Sequence, residues 1–125
     1  PEHPDVAQTL NNLGNLRRDQ KRWVEARADY DRALAIRTAT LGAGHPDVGW
    51  TLRDLGRLLR EEGRPEEADE FFRRALTIFQ TSLGPDHPDL AEFLDDFAKV
   101  QRDLGQPAIA DSLQRWSDRV RPGTS

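Results

Sequence analysis

The chain has 125 residues, 36% hydrophobic and 32% charged, and no cysteine, which suits one modest domain held by packing alone. It offers neither a disulfide framework nor the run of about eighteen apolar residues that a membrane helix needs. Net charge is −4, from 22 acids against 18 bases, with the signs alternating along the chain. The basic stripe of a nucleic-acid footprint is therefore missing. The chain starts at Pro1 rather than Met and reads as a piece of a longer protein. A cytoplasmic location is expected. Lys21 and Lys99 are the only lysines beside many arginines, a composition in keeping with a GC-rich bacterial source.

In chain order, Val6, Leu10, Leu13 and Leu16 form a helical stripe and predict a leading helix over 4–20. Ala26, Tyr30, Ala33, Leu34 and Leu41 predict a trailing helix over 23–41. The pattern then recurs. Val48, Leu52, Leu55 and Leu58 mark a helix over 46–62, and Ala68, Phe72, Ala75, Leu76 and Leu83 another over 65–83. A third, more diverged pair is expected over 88–104 and 107–121. The tripeptide His-Pro-Asp opens each unit at residues 3, 45 and 87, a period of 42 residues, and 3–44 laid over 45–86 gives 19 identities in 42 positions. Pro4, Pro46 and Pro88 suit a first helical turn, where a missing N–H is harmless. Asp5, Asp47 and Asp89 sit near the positive helix end. Gly63-Arg64-Pro65 and Gly105-Gln106-Pro107 end one helix and open the next.

Gly14 and Gly56 lie inside good helices, where glycine costs roughly 1 kcal/mol relative to alanine. Close helix contact is the expected compensation, with Gly14 facing Ala26 and Ala33, Gly56 facing Ala68 and Ala75, and Ala98 in the same place in unit three, while Tyr30 and Phe72 fill the neighbouring volume. There Gln114, Ser117 and Asp118 replace the stripe of Phe72, Ala75 and Leu76, so the third hairpin is expected to be an end cap with a polar outward face.

The residues L-x-x-L-G-x-L followed by A-x-x-x-[YF]-x-x-A-L resemble the tetratricopeptide repeat, whose usual period is about 34 residues. The longer period, with "LNNLG", "RALAI" and "LGxxHPD", is similar to the variant in kinesin light chains and many bacterial signalling proteins. The resemblance implies an all-α, right-handed superhelical solenoid of three hairpins. Repeats 3–44, 45–86 and 87–121 would form one array over 1–121, with a tail at 122–125. It also implies a non-enzymatic scaffold, part of a larger signalling or adaptor protein, that binds peptides or proteins along the concave face of the leading helices. The alternative is a structural module that self-associates by stacking array ends, so the expected state is monomeric or weakly associating.

Chemistry-bearing residues fit that reading. Three His one repeat apart, roughly 15–20 Å, cannot share a metal ion. The carboxylates read as solvated faces, and no nucleophile elbow or phosphate loop occurs. No metal, cofactor or catalytic residue is assigned. Arg53, Arg57 and Arg60 fall at i, i+4 and i+7, so they share one face. Either they form the centre of a groove for a partner with acidic residues, or Arg57 merely pairs with Asp54 and Glu61 on its own helix. Asp95, Lys99 and Arg102 extend the row on one side, Asn11, Asn15 and Arg18 on the other, where Asn11 and Asn12 match the "LNNL" of the resembled family's peptide-binding surface. Trp50 replaces Gln8 and Glu92 of the neighbouring units. It is either an apolar anchor for the partner or a ring packed at a junction. Trp23 and Trp116 read as local packing.

Overall fold

The computed structural model describes residues 4–123, and over these residues the chain forms six α-helices and no strand. They are α1 (Pro4–Asp19), α2 (Trp23–Leu41), α3 (Pro46–Glu61), α4 (Pro65–Ser82), α5 (Leu90–Asp103) and α6 (Pro107–Val120). Consecutive helices pair into three hairpins, and α2 against α3 and α4 against α5 join each hairpin to the next. The result is an all-α solenoid in which the leading helices α1, α3 and α5 lie side by side.

Helix ends follow the sequence closely except at α5, which begins at Leu90 rather than Pro88. There the amides of Leu90 and Ala91 bond the carbonyls of His87 and Pro88 at 3.1 and 3.2 Å, so a tighter three-residue turn precedes the helix. In the repeat-opening tripeptide the histidine ring takes up the amide two residues on. His45 is the N-cap of α3, its Nδ1 accepting the Asp47 amide at 3.1 Å, and Nδ1 of His87 accepts that of Asp89 at 3.1 Å in the turn ahead of α5. His3 lies outside the described residues. Within each hairpin the turn is one Schellman arrangement, with Arg22, Arg64 and Gln106 donating to the carbonyls of Arg17, Leu59 and Gln101 at 2.8, 2.8 and 2.9 Å. The left-handed residue is Gly63 or Gly105 in two of them. In the first it is Lys21, at φ 61°.

The interior glycines do permit close approach, but their partners are rings rather than alanines. A Cβ on Gly14 would stand 2.6 Å from the Tyr30 ring, one on Gly56 2.6 Å from Phe72, and one on Gly49 2.6 Å from Phe79. Where the facing residue has no ring, the helix carries alanine: Ala98 matches Gln114, Ala7 matches Arg37, and Ala91 matches Arg121. An aromatic face needs the missing methyl; a flexible polar chain does not.

The core is uneven. Its largest cluster runs through α3 to α6 around Phe72, Phe79, Phe93 and Phe97. The first hairpin contributes two small clusters, Ala7, Leu10, Ala33 and Ile36, and Ala26 and Tyr30 with Leu55 and Leu58 of α3. In the third hairpin the polar substitutions partly turn inward rather than forming an outward polar face. Ser117 is buried and donates to the Ala91 carbonyl or Asp95, Gln114 donates to Asp95 at 2.9 Å, and only Asp118 is exposed. Trp116 donates its indole N–H to the Pro85 carbonyl at 2.7 Å and ties α6 to the α4–α5 loop.

Candidate functional site

Two clefts are lined by residues of the leading helices on either side of the Arg57–Glu92 bond that joins α3 to α5. One, about 210 Å³, is lined by Arg18, Arg57, Arg60, Glu61, Asp96 and Lys99, with all three leading helices contributing. The other, about 430 Å³, is lined by Trp50 and Arg53 of α3, by Pro88, Asp89, Ala91 and Glu92 at the start of α5, and by Arg121 and Pro122 after α6. Arg57 bridges them. Its Nε bonds Asp96 at 2.6 Å in the first cleft and its Nη2 bonds Glu92 at 2.9 Å in the second. Burial works against its charge, but the Asp96 carboxylate and the bonds to Glu92 and Asp96 outweigh it and raise the guanidinium pKa above its ordinary value.

Within the arginine row, Arg57 and Arg60 form ion pairs between repeats while Arg53 pairs with Asp54 on its own helix, and the within-helix pairing of Arg57 with Asp54 and Glu61 does not form. Arg18 of α1 stands 3.4 Å from Glu61 of α3, and Arg60 of α3 stands 2.7 Å from Asp103 of α5. These are one contact repeated after 42 residues. Four cations line the smaller cleft, yet Glu61, Asp96, Glu92 and Asp103 answer them. The field is balanced rather than Arg-rich. Such pairs across a seam fix register between repeats more than they add stability.

Among the expected site residues, Arg57, Arg60 and Lys99 come together in one cleft, and Trp50 with Arg53 in the other. Lys99 is exposed, 4.0 Å from Asp96. Arg53 bonds Asp54 at 3.0 Å and lies over the Trp50 ring, 5.0 Å from its centroid. Trp50 is half-buried against Phe79, centroids 4.3 Å apart, so part of the ring packs a junction and part faces the cleft. Asn11 is buried. Its Nδ2 donates to Asp54 at 2.6 Å, and its Oδ1 accepts from Thr51 at 3.0 Å, which leaves it a framework group rather than a free donor on the groove. Asn15 is half-buried and accepts the Tyr30 hydroxyl. Burial, with Asp54 next, pushes that hydroxyl well above its usual pKa, so it stays a donor. Arg102 is exposed and 3.8 Å from Asp111, and it lines neither cleft.

Arg18, expected on the row beside Asn11 and Asn15, lines the smaller cleft. Sequence reasoning missed two contributors: Arg121 enters the larger cleft, and Arg37 is buried, donating to Thr51 at 2.8 Å and Gln8 at 2.7 Å. Aligning the three units carried the signal, because Arg37, Phe79 and Arg121 occupy one position. Arg121 reaches Asp95 at 2.6 Å. Burial alone would raise the Asp95 pKa, but bonds from Ser117, Arg121 and Gln114 win and hold it below the usual carboxylate range.

A family profile described as "Tetratricopeptide repeat" matches residues 5–81 and 59–117. Among curated protein sequences nothing matches. Among solved structures, the chain resembles a kinesin light chain-type protein of Podosopora anserina with nearly identical TPR-like repeats (22% identity, TM-score 0.86, 100% of this chain and 59% of that one). It also resembles BtubC (BKLC) from P. vanneervenii (17%, 0.87, 100% and 50%) and the TPR domain of Arabidopsis FLU (16%, 0.78, 91% and 92%). The chain thus spans between half and three fifths of the first two. No helix among the described residues is long and apolar enough to cross a membrane.

Proposed function

The chain belongs to the tetratricopeptide repeat family, whose members generally serve as scaffolds for protein–protein contact, and from that premise we propose that it holds a peptide or protein segment along α1, α3 and α5 as one module of a larger signalling or adaptor protein. The observation that carries this reading is the pair of adjoining clefts bridged by Arg57. An extended segment laid across the seam meets an apolar contact on the open part of Trp50 beside Arg53, and then the cations Arg57, Arg60 and Lys99, each already beside a carboxylate that an acidic partner would have to displace or share. Asp96 holds the Arg57 Nε from a sheltered position, whereas the Glu92 side chain is 76% exposed. A partner carboxylate can therefore replace Glu92 on Nη2 at little cost, since one charge-assisted bond is exchanged for another. Modest affinity that weakens with salt is the consequence. No step of bond making or breaking is assigned.

The test is a screen of the 125-residue protein against an array of acidic peptides carrying one aromatic or aliphatic side chain, with binders titrated by fluorescence. Lys99→Glu should weaken binding and Glu92→Gln should strengthen it, each by roughly fivefold, as expected for about 1 kcal/mol from one exposed charge. Both positions are exposed, so the fold should hold. Acidic peptides that bind both variants as tightly as the parent, or amide shifts confined to α4 and α6, would refute the groove.

A further inference from the structure

We propose that the open face of α1 is a docking surface for the trailing helix of one further hairpin of this same repeat, seated ahead of α1 as α2 is seated ahead of α3. The exposed side is the same side that is buried elsewhere. Leu16 is 54% exposed, whereas its counterparts Leu58 and Val100 are fully buried; Val6 and Leu13 are likewise exposed where Val48 and Leu55 are covered. The face is also the same chemically. Val6, Thr9, Leu13 and Leu16 of α1 are the identical residues Val48, Thr51, Leu55 and Leu58 of α3, and on α3 Leu55 and Leu58 are covered by Ala26 and Tyr30 of α2. A surface of this composition left in water forfeits the burial that its twin obtains.

Two independent features name the occupant. Glu61 and Asp103 each receive an arginine from the preceding leading helix, Arg18 and Arg60. Asp19 holds the same position on α1, largely exposed, with the adjacent Arg18 at 3.7 Å on its own helix. The hairpin that covers α1 would supply the missing rung from its own leading helix. The first five residues of the sequence also match a segment that elsewhere lies between two hairpins. Pro1-Glu2-His3-Pro4-Asp5 repeats Pro85-Asp86-His87-Pro88-Asp89 with one carboxylate exchanged for another, and the latter connects α4 to α5. A second copy stacked head to tail does not fit. It would set Gln114 and Asp118 of α6 against Leu13 and Leu16, where α2 presents Tyr30 and Leu34 to α3.

The chain lacks cysteine, so single-cysteine variants report access directly. A duplicate of residues 3–44 fused ahead of His3 supplies the covering hairpin in the 42-residue register. Maleimide labelling of Leu16→Cys, numbered in the original chain, should be slowed roughly tenfold or more by the fusion, because reaction then requires local opening. Val24→Cys, whose counterpart Glu66 is exposed beside a covering hairpin, should react equally fast in both proteins. Equal rates for Leu16→Cys with and without the added hairpin would overturn the proposal. So would concentration-dependent protection of Leu16→Cys in the 125-residue chain accompanied by dimers in light scattering, which would make a second copy the occupant.

Discussion

Both junctions between hairpins bury apolar side chains, but one set of positions is filled by hydrogen-bonded polar groups at the first junction and by aromatic rings at the second. At the first, Arg37 donates to Gln8, Thr51 and Asn11, and Asn11 donates to Asp54. At the second, Phe79 stands where Arg37 does, Trp50 where Gln8 does and Phe93 where Thr51 does. Phe79 packs at 4.3 Å on Trp50 and edge-on at 5.0 Å to Phe93, while Phe72 lies 5.5 Å from both Phe93 and Phe97. One backbone geometry thus accepts two chemistries. They differ in what each yields. Rings bury apolar area with little geometric demand, whereas a buried polar set is worth having only when every member is satisfied, and in return it fixes the pairing. The first hairpin is accordingly the unit expected to open first.

The largest effect should come from removing a ring of the second junction. Phe72→Ala is expected to cost about 3–5 kcal/mol and, since Phe72 belongs to the cluster spanning α3 to α6, to lower the urea midpoint reported by every helix together. If α5 and α6 kept full protection, the junction would not be the unit of cooperativity claimed for it.

Breaking the polar junction should cost less and act locally. Arg37→Leu leaves Thr51 and Asn11 short of a partner, worth about 1.5–3 kcal/mol. Amide exchange should then accelerate in α1 and α2 with α4 to α6 unchanged. Uniform acceleration would erase the distinction between the junctions.

Next comes the glycine that seats a ring. Gly49→Ala gains helix propensity of about 1 kcal/mol yet sets a methyl 2.6 Å from Phe79, so the net change should be a loss of about 1–2 kcal/mol. At the equivalent Ala7, opposite Arg37, the reverse substitution Ala7→Gly should cost only about 0.5–1 kcal/mol. Thermal melts of the two variants decide this, and a stabilised Gly49→Ala would show that the ring has room to move.

The third hairpin adds an acid-sensitive element. Asp95 has a folded pKa below its ordinary 3.8, so its contribution is complete above the unfolded value and is lost as pH falls through the folded one. Asp95→Asn should flatten the urea midpoint below about pH 4 relative to the parent. A parallel acid limb in both proteins would assign the loss to other carboxylates. The smallest effect is expected at Lys21, the non-glycine left-handed residue. Lys21→Gly should stabilise by about 0.5–1 kcal/mol and slow exchange in the first hairpin's turn; no gain would mean that the lysine is unstrained.

The sequence alone determined the six helices, the 42-residue period and the hairpin turns, because each rests on local rules: apolar spacing, a left-handed residue, a proline free of its N–H. It also brought Arg57, Arg60 and Lys99 onto one lane, since helical spacing within a repeat and translation between repeats are both legible in the chain. Which side chains were free on that lane was decided only by tertiary structure. Whether Arg57 faces Glu61 on its own helix or Asp96 on the next depends on how far α5 sits from α3, and Asn11 is buried because Asp54 arrives from another repeat. That Tyr30 and Phe72 themselves close on Gly14 and Gly56, rather than filling volume beside facing alanines, and that Phe79 does the same to Gly49, was hidden for the same reason. Spacing along one helix reports which face a residue occupies, but the distance to the next helix is set by the side chains of both.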